Sequence, residues 1–229
     1  MNRNKILPVV IAVLVPLVLF AWVQAVNPAQ AADLGREDST AWPGTAYRPT
    51  LSATAPDLTI CPADLIAYWQ LDENAPGTYA DTYDGHDAAC VDGACPTPVS
   101  GKVSGGQQFD GTEAAIDAPA SADFDWEPTD DFSIEVWMRR DGSAALSDNE
   151  VFVGRDDAST ELHWWVGINH QTNAADFYLA STLGEDDKLD GTTDLTDGAW
   201  HHVVGVRDGT SGKFLLYVDG AIEAQKDKT

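Results

Sequence analysis

Glycoside hydrolysis needs two carboxylates facing one another across a groove. Glu135 is the acid set most centrally in an alternating segment, Phe132–Met138, and no second acid stands within two residues of it. The chain has no Gly-x-Ser-x-Gly elbow, no phosphate loop and no His-Glu-x-x-His motif. His201 and His202 are adjacent, and neighbouring strand residues point to opposite faces, so the two rings cannot share one metal. Neither ring, nor His163 beside Trp164-Trp165, is taken as a ligand or catalytic candidate. Carbohydrate binding asks for aromatic rings that stack on sugars beside polar groups that orient them. Trp164 and Trp165 face opposite ways, so one is free of the core. Trp137 and Tyr217 likewise stand off the most apolar faces of their strands. Trp165, Trp137 and Tyr217 are therefore the candidate ligand-binding residues, with burial under loops as the competing role.

The cysteines carry a second kind of chemistry. Cys90 and Cys95 bracket the compact turn Val91-Asp92-Gly93-Ala94 and are expected to form a disulfide in an exported chain. So small a closed loop contributes roughly 2 kcal/mol through chain entropy. Cys61 is left over, either free or displacing one of the pair. Three cysteines without nearby histidines do not match zinc-ligand spacing.

Thirteen basic residues stand against 37 acidic ones, a net charge of −24. Nucleic acid is excluded as a partner, because phosphate binding needs clustered positive charge. Most of the acid reads as a solvated surface. Two loops concentrate it: Asp72–Asp92, with Asp72, Glu73, Asp81, Asp84, Asp87 and Asp92, and Asp123–Asp131.

Positioning these residues falls to a simple chain plan. Residues 1–31 carry Arg3 and Lys5, an apolar run Ile6–Val23 and a small-x-small site at Ala29-Gln30-Ala31. They read as a hydrophobic helix serving as a cleaved secretory signal or, alternatively, as an uncleaved anchor with its basic end inside. Both send the rest out of the cytoplasm, and the membrane is touched only through this segment if it is uncleaved. Residues 32–63, rich in Pro, Ala, Thr and Ser, form a linker. From residue 64 onward, short alternating segments are separated by turn signals: Leu65–Leu71, Gly105–Asp110 with Ala114–Ala118 as a hairpin around Asp110-Gly111, Phe132–Met138, Glu150–Gly154, Leu162–Ile168, Ala175–Leu179, Trp200–Arg207, Phe214–Val218 and Ala221–Gln225. Asp219-Gly220 is a two-residue hairpin signal. About ten strands without a helix after residue 31 predict an all-β, two-sheet antiparallel sandwich or barrel.

Four blocks carry a resemblance: Ala67-Tyr68-Trp69-Gln70-Leu71-Asp72-Glu73, Gln108-Phe109-Asp110-Gly111, Phe132–Trp137 and Trp200-His201-His202-Val203 with Leu216-Tyr217-Val218-Asp219-Gly220. Their order and spacing resemble LamG-like, concanavalin A-type jelly rolls over residues 64–229. The resemblance implies a jelly-roll sandwich, a structural role for His202 and one calcium near the rim, for which Asp72, Asp81 and Asp84 are the first side chains to test. Domains of this type end on a strand returning beside the first. None follows Thr229, so the domain is expected to lack its last strand and to leave an edge uncovered. The paired acids of similar-looking glycoside hydrolases are absent. The expectation is thus a secreted or cell-surface, non-catalytic module that binds carbohydrate or a cell-surface protein, with calcium as a candidate structural ion. The alternatives are an adhesive domain of a larger surface protein and a glycan-active enzyme.

Overall fold

The computed structural model describes residues 9–12, 65–126, 130–141, 145–157, 162–180 and 186–227. The calls on Cys61 and on the linker, and most of residues 1–31, lie outside them. The strands are β1 (Val9–Ala12), β2 (Thr78–Tyr79), β3 (Ala88–Cys90), β4 (Thr97–Ser100), β5 (Gly105–Gln108), β6 (Ile116–Asp117) and β7 (Phe132–Arg140). The second half adds β8 (Glu150–Asp157), β9 (Leu162–Ile168), β10 (Ala174–Ala180), β11 (Asp186–Asp194), β12 (Trp200–Asp208), β13 (Lys213–Val218) and β14 (Ala221–Asp227). One sheet runs β14-β13-β12-β7-β1-β5-β4, a second β11-β10-β9-β8, and a small third one β2-β3-β6. Every strand pair is antiparallel. The chain is an all-β jelly-roll sandwich.

The core lies between the two larger sheets because each strand alternates. On β12, His201, Val203, Gly205 and Arg207 are buried, and the residues between them are half-exposed. On β13 the buried set is Phe214, Leu216 and Val218. The facing sheet contributes Val166, Ile168, Ala175, Phe177 and Leu189. Phe177 and Phe214 meet across the layers with ring centroids 4.4 Å apart. Gly205 makes room for that contact: a Cβ there would sit 2.7 Å from the Phe177 ring. Arg140, at the end of β7, donates from Nε to both Glu150 carboxylate oxygens at 3.0 Å and ties the two sheets together in the interior. At one edge Glu223 of β14 accepts from the Thr192 and Thr193 amides of β11. The Asp-Gly turns behave as their sequence asks. Asp219 and Gly220 have φ of 51° and 81°, and Asp92 and Gly93 of 51° and 78°, the doubly positive pattern of a type I′ hairpin.

Two expectations change. Leu65–Leu71 is no continuous strand, and only a Trp69–Asp81 bridge forms there. Side chains take part of its backbone: Tyr68 N donates to Asp81 Oδ1 and Gln107 Nε2 donates to Leu71 O, while Tyr68 O accepts the Thr82 amide, and Leu71 itself turns left-handed at φ 55°. Gly105–Gln108 and Ile116–Asp117 do not form a hairpin. β5 pairs with β4, whereas β6 pairs with β3 in another sheet. Asp110 drives this crossover by accepting the amides of Thr112, Glu113 and Ala114, which leaves that loop no ladder to continue. Separately, Val9–Ala12, the described residues near the N-terminus, are extended and pair with β5 and β7. Branched aliphatic residues suit a strand between two unpaired edges.

Candidate functional site

Strand alternation places the ligand candidates. Trp164, Val166 and Ile168 of β9 point into the core, so Trp165 stands on the outward face of the four-stranded sheet. Tyr178 of β10 lies opposite it in register. Their rings stack at 5.8 Å with a 26° interplanar angle. Beside them β10 and β11 bring up a charged row. The Lys188 ammonium lies 2.9 Å from Asp176 Oδ2 and 3.1 Å from Asp190 Oδ1. Asn169 Nδ2 donates to Asp190 Oδ1 at 2.7 Å. The Asp176 side chain is 0% exposed, against 37% for Lys188 and 45% for Asp190. Burial pushes the Asp176 carboxyl up to about 6, against the pull of the Lys188 ammonium. Burial would lower Lys188, but its two carboxylate partners win and raise it. The arrangement is an aromatic platform with a donor and an acceptor at its side.

Trp137 and Tyr217 belong elsewhere, on the outward face of the seven-stranded sheet. Trp137 pairs with His202, and their rings stack at 5.0 Å and 26°. Lys102 Nζ sits 5.0 Å above the Trp137 ring. Val204, between strands β7 and β13, is in register with both Glu135 and Tyr217. Glu135 Oε2 is 3.5 Å from His202 Nε2. The three predicted ligand residues therefore split between opposite outer faces. Tyr178 and the Asp176–Lys188–Asp190 row were missed. Tyr178 could have been found, since it alternates off the Ala175, Phe177 and Leu179 face.

The acidic loop is organised around Asp81. Its Oδ1 accepts the Tyr68 and Tyr83 amides at 2.8 and 2.9 Å, and its Oδ2 accepts the Asp84 and His86 amides at 3.2 and 3.0 Å. Burial acts to raise its carboxyl, yet these N–H donors outweigh that and hold it below the usual range. Asp72 Oδ2 accepts the Ser104 hydroxyl at 3.3 Å. Asp84 is exposed. Among the described residues, no three or more His, Cys, Asp or Glu side chains gather as a metal cage. The Cys90–Cys95 disulfide is formed.

Two histidines are bracketed by carboxylates. His86 Nδ1 lies 3.0 Å from Asp81 and Nε2 2.9 Å from Asp123. His201 Nδ1 lies 2.8 Å from Asp219 and Nε2 3.1 Å from Asp197. A ring can donate from both nitrogens only as imidazolium. The hydrogen bond to Asp123 leads in raising His86 against the effect of burial. Burial would lower His201, but Asp219 and Asp197 raise it. So the buried, bridging member of the His-His pair is His201, whereas His202 stacks outward on Trp137.

Residues 110–229, just over half of the chain, match the Laminin_G_3 family model, described as the concanavalin A-like lectin/glucanases superfamily. Among solved structures, the chain is similar to the binding domain of Paraclostridial Mosquitocidal Protein 1, with 14% identity and a TM-score of 0.54 over 69% of this chain and 41% of that one. Domains LG4-5 of the mouse laminin alpha1 chain match with 15% identity and a TM-score of 0.35, over 43% of this chain and 24% of that one. The chain thus spans less than half the length of either. No curated protein matches it. The family match, resting on the segment that holds both outer aromatic faces, shows that the chain belongs to the Laminin_G_3 family of the concanavalin A-like superfamily.

Proposed function

We propose that the protein is an exported, non-catalytic binding module that recognises carbohydrate through the outward face of β9 and β10. The observation that carries this reading is the Trp165–Tyr178 stack beside Asn169, Asp190 and Lys188. Flat rings take the apolar face of a sugar, and the neighbouring Lys188 ammonium and Asp190 carboxylate, which Asn169 holds in place, offer hydrogen bonds of both senses. The Cys90–Cys95 disulfide fits an oxidising compartment. Glu135 faces a histidine, which favours binding over glycosidic cleavage. The test is a glycan array. Trp165→Ala is expected to abolish binding and Trp137→Ala to spare it. Equal loss in both, or turnover of a polysaccharide removed by Glu135→Gln, would overturn the reading.

A cell-surface protein as partner is the second reading. It is favoured by the other face, where Tyr217 is in register with Ile222, a large aliphatic that is 53% exposed. An adhesive domain of a larger surface protein would use such a patch. Calcium at Asp72, Asp81 and Asp84 belongs to the proposal but draws less support from geometry, because an ion at Asp81 must displace amide donors. A calcium titration that leaves the melting temperature unmoved would remove the ion, since a ligand of the folded state stabilises it.

A further inference from the structure

Two cations on the outward face of the seven-stranded sheet have no carboxylate beside them, although acids outnumber bases by 37 to 13. Among the described residues, carboxylates hold Arg140 (Glu150), Arg155 (Asp125), Lys188 (Asp176 and Asp190), Lys213 (Asp227) and Lys226 (Asp187), and Arg207 is buried. Lys102 and Arg139 remain, and both are exposed. Each is set over an indole instead. Lys102, in the turn between β4 and β5, lies 5.0 Å from the Trp137 ring centre, and Arg139 of β7 lies 5.4 Å from that of Trp200. Trp137 pairs with His202 and Arg139 with Trp200, so the two cation–indole units occupy neighbouring rows of β7 and β12. A ring face within about 6 Å attracts a cation and restrains it, but leaves its charge unneutralised. The next row carries apolar surface. Val204 stands between Glu135 and Tyr217, and Tyr217 is in register with Ile222, which is 53% exposed. Glu135 faces His202, 3.5 Å away, rather than either cation.

We propose that this face docks an acidic segment of a partner protein, with carboxylates on Lys102 and Arg139 and an apolar side chain on Tyr217 and Ile222. The inference deepens the second reading above, a cell-surface protein on this face, and rests on it. Complementary charge fixes the sign of the partner. The chain's net charge of −24 does not forbid an acidic one, because at physiological ionic strength distant charges are screened beyond about 8 Å while contact pairs are not. Apolar chemistry fixes the class. An acidic polysaccharide could meet Lys102 and Arg139 with uronate or sulfate, but it has no aliphatic side chain to cover Ile222. A pyranose seeking the Trp137 ring would also find His202 stacked on it and Lys102 over it.

The test uses the full chain and a synthetic peptide repeating Asp-Glu-Leu-Phe, read from the indole N–H signals of Trp137 and Trp200. Both signals are expected to shift. Lys102→Gln with Arg139→Gln, two exposed positions whose replacement spares the fold, should weaken binding about tenfold, as the loss of two surface ion pairs allows. Equal binding of a peptide repeating Asn-Gln-Leu-Phe, or a double variant that binds as the parent does, overturns the acidic partner while leaving a protein-docking face. Polygalacturonate binding more tightly than the acidic peptide assigns the face to an acidic glycan and overturns the partner's class. No shift with either peptide at millimolar concentration overturns the proposal and the second reading together. Concentration-dependent dimerisation of the parent that the double variant lacks assigns the face to a second copy and overturns the partner likewise. Trp165→Ala should bind the acidic peptide as the parent does, which keeps this result apart from that of the glycan array.

Discussion

Asp176→Asn should make the protein more stable, and only above mildly acidic pH. The Asp176 carboxyl is enclosed on the outer face of β10 and titrates at about 6 rather than 3.8. Its folded value is raised, so ionisation costs the fold more than the unfolded chain. The cost is absent below about pH 4, grows between 4 and 6, and is complete above that range. The gap of about two pH units corresponds to about 3 kcal/mol. The amide is nearly isosteric and cannot ionise, so the variant should gain about 2–3 kcal/mol at pH 7.5 and almost nothing at pH 4. For a domain of this size that is a rise in melting temperature of about 4–12 °C. Urea unfolding of parent and variant at both pH values reads the difference directly. A variant less stable than the parent at pH 7.5, or a difference that does not change with pH, would refute the reasoning. A gain would mean that the chain keeps a destabilising acid on the proposed binding face, the pattern expected where function outweighs stability.

Three more outcomes follow from the interior. Arg140→Met alone should cost about 3–5 kcal/mol by stranding the Glu150 carboxylate, while Arg140→Met with Glu150→Leu should return near the parent, as denaturant midpoints would show. Gly205→Ala should cost about 1–3 kcal/mol against the Phe177 ring, and Phe177→Leu in the same chain should recover part of that loss in a double-mutant cycle. His86 and His201 have raised folded values, so their contribution is full below about pH 6.5 and fades as pH rises through those values. Melting temperature should therefore fall as pH rises above about 6.5, and replacing both rings (His86→Gln with His201→Gln) should flatten that fall.

The sandwich was legible wherever burial on one face alone dictates the side-chain pattern. Phe132–Met138, Trp200–Arg207 and Phe214–Val218 alternate strictly because one side of each meets the core. Asp219-Gly220 was legible because few residue pairs accept two positive φ values in succession. Leu65–Leu71 misled because its sequence alternates while the Asp81 and Gln107 side chains take the Tyr68 amide and the Leu71 carbonyl, and periodicity carries no information about where backbone groups are satisfied. β4 was invisible through Pro98, which sits on the strand that ends the sheet and so needs no second ladder.

β11 shows why the candidate site was the harder half. Its sequence, DDKLDGTTD, holds a single aliphatic residue, Leu189, and reads as a loop. It becomes a strand because β10 offers a complete ladder and because Glu223 and Lys226 of β14 engage it at Thr192, Thr193 and Asp187. Tertiary pairing overrides local preference there. The same polarity that hides the strand supplies Lys188 and Asp190, which join Asp176 of β10 in the row beside Trp165 and Tyr178. Two carboxylates and one ammonium on an outward sheet face bury little apolar area, so packing does not explain their residue types. The proposed ligand, which needs a donor and an acceptor next to a flat ring, would explain them, and for that reason the polar strand, rather than the apolar ones, is where the binding proposal stands or falls.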